Sequence, residues 1–175
     1  MGEIRSKEID ETTSIIDPSD YGLSKYLCEK LLFGKNNKFK SISLRLPGVL
    51  GEKSVRNLLT MILNKAKNNE IIDIYKPNSK FNNCIDVNDL SLFICQLIDF
   101  SFNEHDVFPV AAKDALKIID IVSKIIDRLK SASKINIIKN DISSFIINNA
   151  YAIDKYDYKP NTVDLIINNF IERNR

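Results

Sequence analysis

Short β-type runs alternate with longer stretches of helical period along these 175 residues, and that alternation points to an α/β fold. Extended runs are expected over 41–46, 71–75, 84–87, 107–110 and 135–138. Helices are expected over 19–33, 54–67 and 162–173, with another capped by Asn88 or Asp89 and running to Phe100, and a short helical turn over 151–156. The clearest amphipathic helix is predicted over 114–130, where Leu116, Ile119, Val122, Ile126 and Leu129 recur on one side. The punctuation agrees. Asp17-Pro18 opens the first helix, with Asp17 as cap and Pro18 in the first turn, and Gly34 with Asn36-Asn37 closes it. Pro47-Gly48 and Pro77-Asn78 end strands. Residues 1–18 read as an irregular polar lead-in. With no repeat and no long linker, the length favours one compact unit.

Charge and residue usage narrow the function. The net charge is only +2, and Lys alternates with Asp and Glu, so a nucleic-acid partner is not expected. The nearest thing to a basic stripe, Lys30, Lys35, Lys38 and Lys40, reads as a solvated helix end and loop. No apolar run approaches the roughly 18 residues of a membrane span, and the amino terminus has no apolar signal core. Cys28, Cys84 and Cys95 are odd in number and form no CxxC pair, which suits a reduced, cytoplasmic setting without disulfides or zinc. His105 is the single histidine, so this chain holds neither a His-based triad nor a multi-His metal site by itself.

The chemical candidate is Tyr21-Gly22-Leu23-Ser24-Lys25. Residues four apart share a helix face, which brings the Lys25 ammonium towards the Tyr21 hydroxyl. A free tyrosine titrates at about 10, and a cation held close favours the phenolate. Such a tyrosine can take a proton from a sugar hydroxyl, or give one to a ketone. Spacing alone does not single it out: Tyr26 with Lys30 and Tyr151 with Lys155 repeat it.

The neighbourhood of Tyr21 does. Asp17-Pro18-Ser19-Asp20-Tyr21-Gly22-Leu23-Ser24-Lys25, followed by Glu29, resembles the catalytic helix of the extended short-chain dehydrogenase family, the NAD(P)-dependent nucleotide-sugar epimerases, dehydratases and reductases. Further likenesses follow in order. Leu44-Arg45-Leu46-Pro47-Gly48-Val49-Leu50-Gly51 is similar to the strand and loop that close over the nicotinamide. Asn57-Leu58 resembles a pair that touches the nucleotide diphosphate. Ile72-Asp73-Ile74-Tyr75 sits where a strand flanks the base, and Ile85-Asp86-Val87-Asn88-Asp89-Leu90 looks like a Val-Asp-Asp-Leu helix start. Phe108-Pro109-Val110 and Tyr158-Lys159-Pro160 resemble the family's later strand and its ending.

The resemblance implies the carboxyl-terminal part of a Rossmann-like parallel sheet plus a small α/β substrate-binding lobe. Residues 1–70 would be the remnant of the Rossmann-like domain, bearing the Tyr-Lys helix, and 71–175 mainly the lobe. It implies Tyr21 and Lys25 as catalytic and cofactor-binding residues, Pro47 and Gly48 against the nicotinamide, and Asn57, Leu58, Tyr75 and Asn82 at the nucleotide-sugar. Asn82 stands where many epimerases carry an Arg for the diphosphate. The implied cofactor is NAD or NADP and the implied pathway surface polysaccharide biosynthesis.

One departure is large. A dinucleotide site needs a Gly-rich turn after its first strand, and the five glycines here form none. The family's catalytic Ser or Thr is absent as well, on a strand just upstream of Gly2. The expected partners are therefore a polypeptide supplying the amino-terminal half, or a homodimer through the Tyr-Lys helix. Leu27, Leu31 and Leu32 and the flank of the 41–46 strand would otherwise lack cover. Three readings fit: a component of an enzyme that is inactive alone, a truncated remnant, or a non-catalytic nucleotide-sugar or partner-binding module.

Overall fold

The computed structural model of the chain describes residues 2–33, 39–102, 104–139 and 144–175. Strand β1 (Glu8–Ile9) lies in the lead-in and is followed by helix α1 (Asp20–Leu32), strands β2 (Ile42–Arg45) and β3 (Gly48–Leu50), and helix α2 (Leu58–Lys67). Strands β4 (Ile72–Tyr75), β5 (Lys80–Phe81) and β6 (Cys84–Asp86) lead into α3 (Val87–Asp99) and β7 (Asp106–Pro109). Then come β8 (Leu116–Lys117), α4 (Ile118–Leu129), β9 (Ile135–Ile138), β10 (Ile146–Ile147), α5 (Ala150–Tyr156) and α6 (Val163–Arg173).

The strands meet in pairs, and the pairs β1–β10, β2–β7, β3–β6 and β4–β9 are parallel. Parallel pairing requires long crossovers, and here helices supply them, as the alternation in the sequence demands. Among the described residues only β5–β8 runs antiparallel, setting Lys80 opposite Lys117 and Phe81 opposite Leu116.

Three apolar clusters hold these pairs together. Helices α2, α4 and α6 pack on β3, β4 and β6 through fully buried Leu50, Leu63, Ile72, Ile125, Ile167 and Phe170. Burying each such side chain contributes about 1.5–3 kcal/mol. A second cluster joins Phe93 of α3, Phe108 of β7 and Tyr156 of α5, with the Phe108 and Tyr156 rings stacked at 4.8 Å. A third, formed by Ile9, Ala111 and Ile147, pins the lead-in. Gly2 helps to shape that segment. Its φ is +81°, and a Cβ there would lie 2.0 Å from the Ile16 carbonyl oxygen. Only glycine fits the approach.

Helix α1 is different. It has no fully buried residue; Gly22, Tyr26, Glu29 and Leu32 form one half-buried stripe, while Leu27 and Leu31 are 53% and 73% exposed. Beside it, β2 pairs with β7 alone among the described residues, so its other edge has no strand neighbour. The expected lack of cover is present for Leu27 and Leu31, whereas Leu32 is half-buried.

Several boundaries shift for local reasons. The lead-in is not wholly irregular, because β1 pairs with a strand far away in sequence. Helix α1 is capped by Ser19 and not Asp17, which takes a positive φ of 43°. Arg56 also has a positive φ, and Asn57 caps α2, so that helix starts four residues later than expected. Asp86, and neither Asn88 nor Asp89, caps α3: its carboxylate accepts from the Asn88 amide at 2.9 Å. The expected 114–130 helix loses its start to β8, where Asp114 takes a positive φ and Leu116 pairs in a strand. Its fully buried face is Ile121, Val122 and Ile125, with Ile119, Ile126 and Leu129 partly buried beside it. The helix stop read at Gly34, Asn36 and Asn37, together with Lys35 and Lys38, lies outside the described residues.

Candidate functional site

The first turn of α1 sets the site. Ser19 Oγ accepts from the Gly22 amide at 3.3 Å, satisfying one of the unpaired N–H groups of the helix start. A Cβ on Gly22 would come 3.2 Å from Pro18 Cβ, so glycine lets the chain turn tightly into the helix. Asp20 complements the helix dipole. Tyr21 and Lys25 follow one turn apart on the wall of a cavity of about 670 Å³. Its other walls come from the lead-in (Ile4, Ile9), from β2 (Ser43, Arg45), and from Asn83, Pro109 and Phe145.

Tyr21 is 73% exposed, and the Lys25 ammonium lies 5.4 Å from its ring centre. The cation therefore sits over the ring face, not against the hydroxyl as the spacing suggested. Neither group is held by another side chain among the described residues. Behind them, the helix is clamped to the sheet. Arg45 donates to both Glu29 carboxylate oxygens, from Nη2 at 2.7 Å and from Nε at 3.2 Å. These side chains are only 15% and 11% exposed. A two-pronged pair of this kind fixes direction as well as distance.

The same Tyr-x-x-x-Lys spacing in α5 gives a different object. Lys155 donates to Tyr151 Oη at 2.8 Å and to Asp106 Oδ2 at 2.9 Å. Tyr151 and Tyr156 both donate to that Asp106 oxygen at 2.7 Å. Burial opposes the Asp106 charge, but the bonds from Tyr156, Lys155 and Tyr151 together hold its carboxyl below the ordinary value. Burial and then the Asp106 carboxylate, against the opposing Lys155 ammonium, push the Tyr151 hydroxyl up. Tyr156 is pushed up by burial and by the same acceptor. This tyrosine is held protonated, which suits a structural lock and not a base.

The other residues singled out in the sequence are scattered. Pro47 and Gly48 follow β2 directly, and the Gly48 amide donates to the Asn83 carbonyl at 3.3 Å; their neighbours Leu46 and Asn83 line the cavity. Asn57 Oδ1 accepts from the Thr60 amide at 2.9 Å and its hydroxyl at 3.0 Å, as the α2 cap. Leu58 and Tyr75 are exposed, at the start of α2 and the end of β4. Asn82 is buried. Its Nδ2 donates to the carbonyls of Ala112 and Ile147, and its Oδ1 accepts from the Ile147 amide at 2.8 Å. That amide stitches β10 to the segment before β6. Asn57, Leu58, Tyr75 and Asn82 are not among the residues that line the Tyr21 cavity.

Sequence reasoning missed Phe145 and the lead-in isoleucines as cavity walls, because contacts between residues far apart in sequence, the two-residue β1–β10 pairing and the Gly2–Ile16 bridge among them, bring them there. Cys84 is buried and its thiol is pushed up to about 12, while Cys28 and Cys95 are exposed. Among the described residues, no cluster of His, Cys, Asp and Glu is placed to hold a metal ion, and no helix is long and apolar enough to cross a membrane.

No family model and no curated protein matches the chain by sequence. Solved structures do match by shape. The UDP-N-acetylglucosamine 4-epimerase of Methanobrevibacter ruminantium M1, in complex with UDP-N-acetylmuramic acid, superposes with a TM-score of 0.79 at 19% identity, over 98% of this chain and 58% of the enzyme. The UDP-glucuronic acid 4-epimerase of Bacillus cereus, with UDP-glucuronic acid and NAD, gives 0.79 at 16% identity, over 97% of this chain and 56% of that one. The dTDP-glucose 4,6-dehydratase of Bacillus anthracis, with NAD, gives 0.78 at 16% identity, over 98% and 57%. The chain has their Rossmann-like α/β fold. It spans a little under three-fifths of their length, the share expected of a carboxyl-terminal half.

Proposed function

We propose that these residues form the acid/base and substrate-binding part of an NAD(P)-dependent nucleotide-sugar epimerase, dehydratase or reductase, serving surface polysaccharide synthesis. They would be inactive without a dinucleotide-binding segment supplied from outside them. In this reading residues 1–70 carry the Tyr-Lys helix and 71–175 the substrate lobe. The observation that carries it is the placement of Tyr21 and Lys25, one helical turn apart and unengaged by other side chains among the described residues, on the wall of a cavity large enough for a small ligand.

Tyr21 Oη then passes a proton to or from a sugar oxygen, and Lys25 stabilises the phenolate left when the proton is gone. Ser43 offers a hydroxyl on the same wall, and the Arg45–Glu29 clamp keeps α1 at its distance from β2. NAD(P), when bound, supplies the hydride acceptor or donor. Lys25 and the backbone at Pro47 and Gly48 are the groups here that suit its nicotinamide end, and the cavity has room for that end. The pyrophosphate requires a Gly-rich turn that these residues do not contain. The open edge of β2 and the exposed Leu27 and Leu31 support docking of a further sheet segment beside α1.

The test is to supply that segment, in one polypeptide or as a second, and assay UDP- and dTDP-sugars with NAD and NADP. Sugar product should form with at least one pair. A folded, assembled protein that turns over none of them would sink the proposal. Such a protein binding UDP-sugars with no nicotinamide chemistry would favour the reading as a binding module.

A further inference from the structure

Helix α3 is apolar on more of its surface than the core requires. Leu90, Phe93 and Leu97 bury its inner face, with the Phe93 ring 4.6 Å from that of Tyr158. One flank is occupied as well. Gln96 Nε2 donates to the Tyr156 carbonyl at 2.8 Å, and Asn161 Nδ2 donates to both Asp89 carboxylate oxygens at 2.9 Å. The opposite flank carries Val87, Ser91, Ile94, Cys95 and Ile98, which recur at i, i+4, i+7, i+8 and i+11 and so share a face. All five are exposed, Ile98 at 76%, and Leu92 extends the face at 71%.

Little on this face calls for water. Charged residues make up 27% of the chain, yet the only two in α3 stand near its ends, Asp89 in the first turn and Asp99 in the last. Ser91, the one polar residue of the stripe, turns its hydroxyl back into the helix: Oγ donates to the Val87 carbonyl at 2.8 Å. Cys95 packs as a small hydrophobe. A contiguous apolar face of this kind marks an interaction surface. The sheet segment proposed to dock on the open edge of β2 leaves it bare, because α3 packs over β6 and over β7, which fills the other edge of β2.

A second copy of the chain fits the face. Small Ser91 and Cys95 leave a shallow groove between the branched side chains of Val87, Ile94 and Ile98, so ridge and groove complement each other across a two-fold axis. Such an axis sets the two helices antiparallel. Asp99 opposes the dipole of its own helix, in a last turn that has no basic residue, and the antiparallel partner brings the positive end of a helix beside it. We infer that two copies associate through antiparallel α3 helices. One helix face on each side gives a contact at the low end of specific interfaces, below about 1,200 Å², so the dimer is reversible and dissociates in about the micromolar range or above. This association is independent of any chemistry at Tyr21.

Sedimentation velocity on the 175-residue chain, from about 1 μM to about 1 mM, tests it. The mass should climb from monomer to dimer. Ile94→Glu and Ile98→Lys should each raise the dissociation constant about tenfold or more, because a two-fold axis repeats each change on both sides. A lysine at the second position also suits the end of its own helix, so fraying does not account for the loss. Leu27→Glu and Leu31→Glu, on the exposed apolar face of α1, should leave association unchanged. A short bismaleimide should join copies through Cys95 in Cys28→Ser, and not through Cys28 in Cys95→Ser. A chain that stays monomeric throughout, or association that ignores both α3 changes in folded variants, would overturn the assignment. Cross-linking through Cys28 alone would do the same, and would move the contact to α1.

Discussion

Two helices of this protein carry the same Tyr-x-x-x-Lys pattern and put it to opposite uses. In α5 the pair is welded to Asp106: three donors converge on one carboxylate oxygen, and the tyrosines are kept protonated. In α1 the hydroxyl of Tyr21 and the ammonium of Lys25 have no such acceptor among the described residues, and both residues line a cavity. Spacing brings a lysine within reach of a tyrosine in both places. What differs is the third partner. A carboxylate at the tip of the pair consumes both donors and turns potential chemistry into structure, whereas a cavity leaves them available to a ligand.

The sharpest way to break this contrast, under the proposed function, is to remove each hydroxyl in turn from the protein supplied with a dinucleotide-binding segment. Tyr21→Phe should lower kcat by about 10²–10⁴, the usual worth of a positioned acid/base. Tyr151→Phe should leave it nearly unchanged. Comparable losses from both, measured on folded protein, would mean that the α5 pair takes part in the chemistry and that the distinction drawn from Asp106 is mistaken.

Stability should show the reverse order. Asp106→Ala strips the acceptor from Tyr151, Tyr156 and Lys155, with the Tyr156 side chain fully buried. Leaving such groups unpaired costs about 3–5 kcal/mol, read as a shift of the urea midpoint. Lys25→Ala, on an exposed helix face, should stay within about 0.5 kcal/mol. A smaller effect is expected where α1 meets the sheet. Glu29→Ala orphans a mostly buried Arg45 and should destabilise by roughly 3 kcal/mol or less. It should also loosen Tyr21, so the same variant is expected to lose activity that Lys30→Ala retains.

The parallel pairing was implied by the family resemblance, whereas the strand–helix alternation and the Tyr21–Lys25 helix were legible in the sequence, because each depends on local periodicity. Two-residue strands were not. β1, β5, β8 and β10 are too short to carry a period, and they exist because partners 35 to 138 residues away meet them. The cavity walls inherit that blindness: Phe145 and Ile9 join the cavity that Tyr21 lines with the help of the β1–β10 pair. The caps erred by two or three residues for a related reason. Asp17, Asn88 and Asp89 are as good at capping as Ser19 and Asp86, and the backbone path decides among them. The roles of Asn57, Leu58, Tyr75 and Asn82 were implied by resemblance alone, and a buried amide such as Asn82 has no sequence signature that separates it from a binding one.

The smallest effect sharpens the comparison by pH. Asp106 has a depressed carboxyl in the folded state, so it stabilises above the unfolded value of about 3.9 and the gain is lost as acid protonates it. Tyr151 and Tyr156 are raised, so their contribution is full below the unfolded value of about 10 and fades as pH climbs through the folded values. The α5 lock is therefore strongest between those limits. Asp106→Asn removes the carboxylate behind both effects while keeping the shape. It should flatten the acid limb of the stability curve and bring tyrosine ionisation, followed by absorbance, back towards ordinary pH. Tyr151→Phe alone should cost only about 1 kcal/mol, one hydrogen bond of three at that oxygen. If the alkaline limb stays unchanged in Asp106→Asn, the carboxylate is not what keeps these tyrosines protonated, and the difference between the two helices must lie in burial alone.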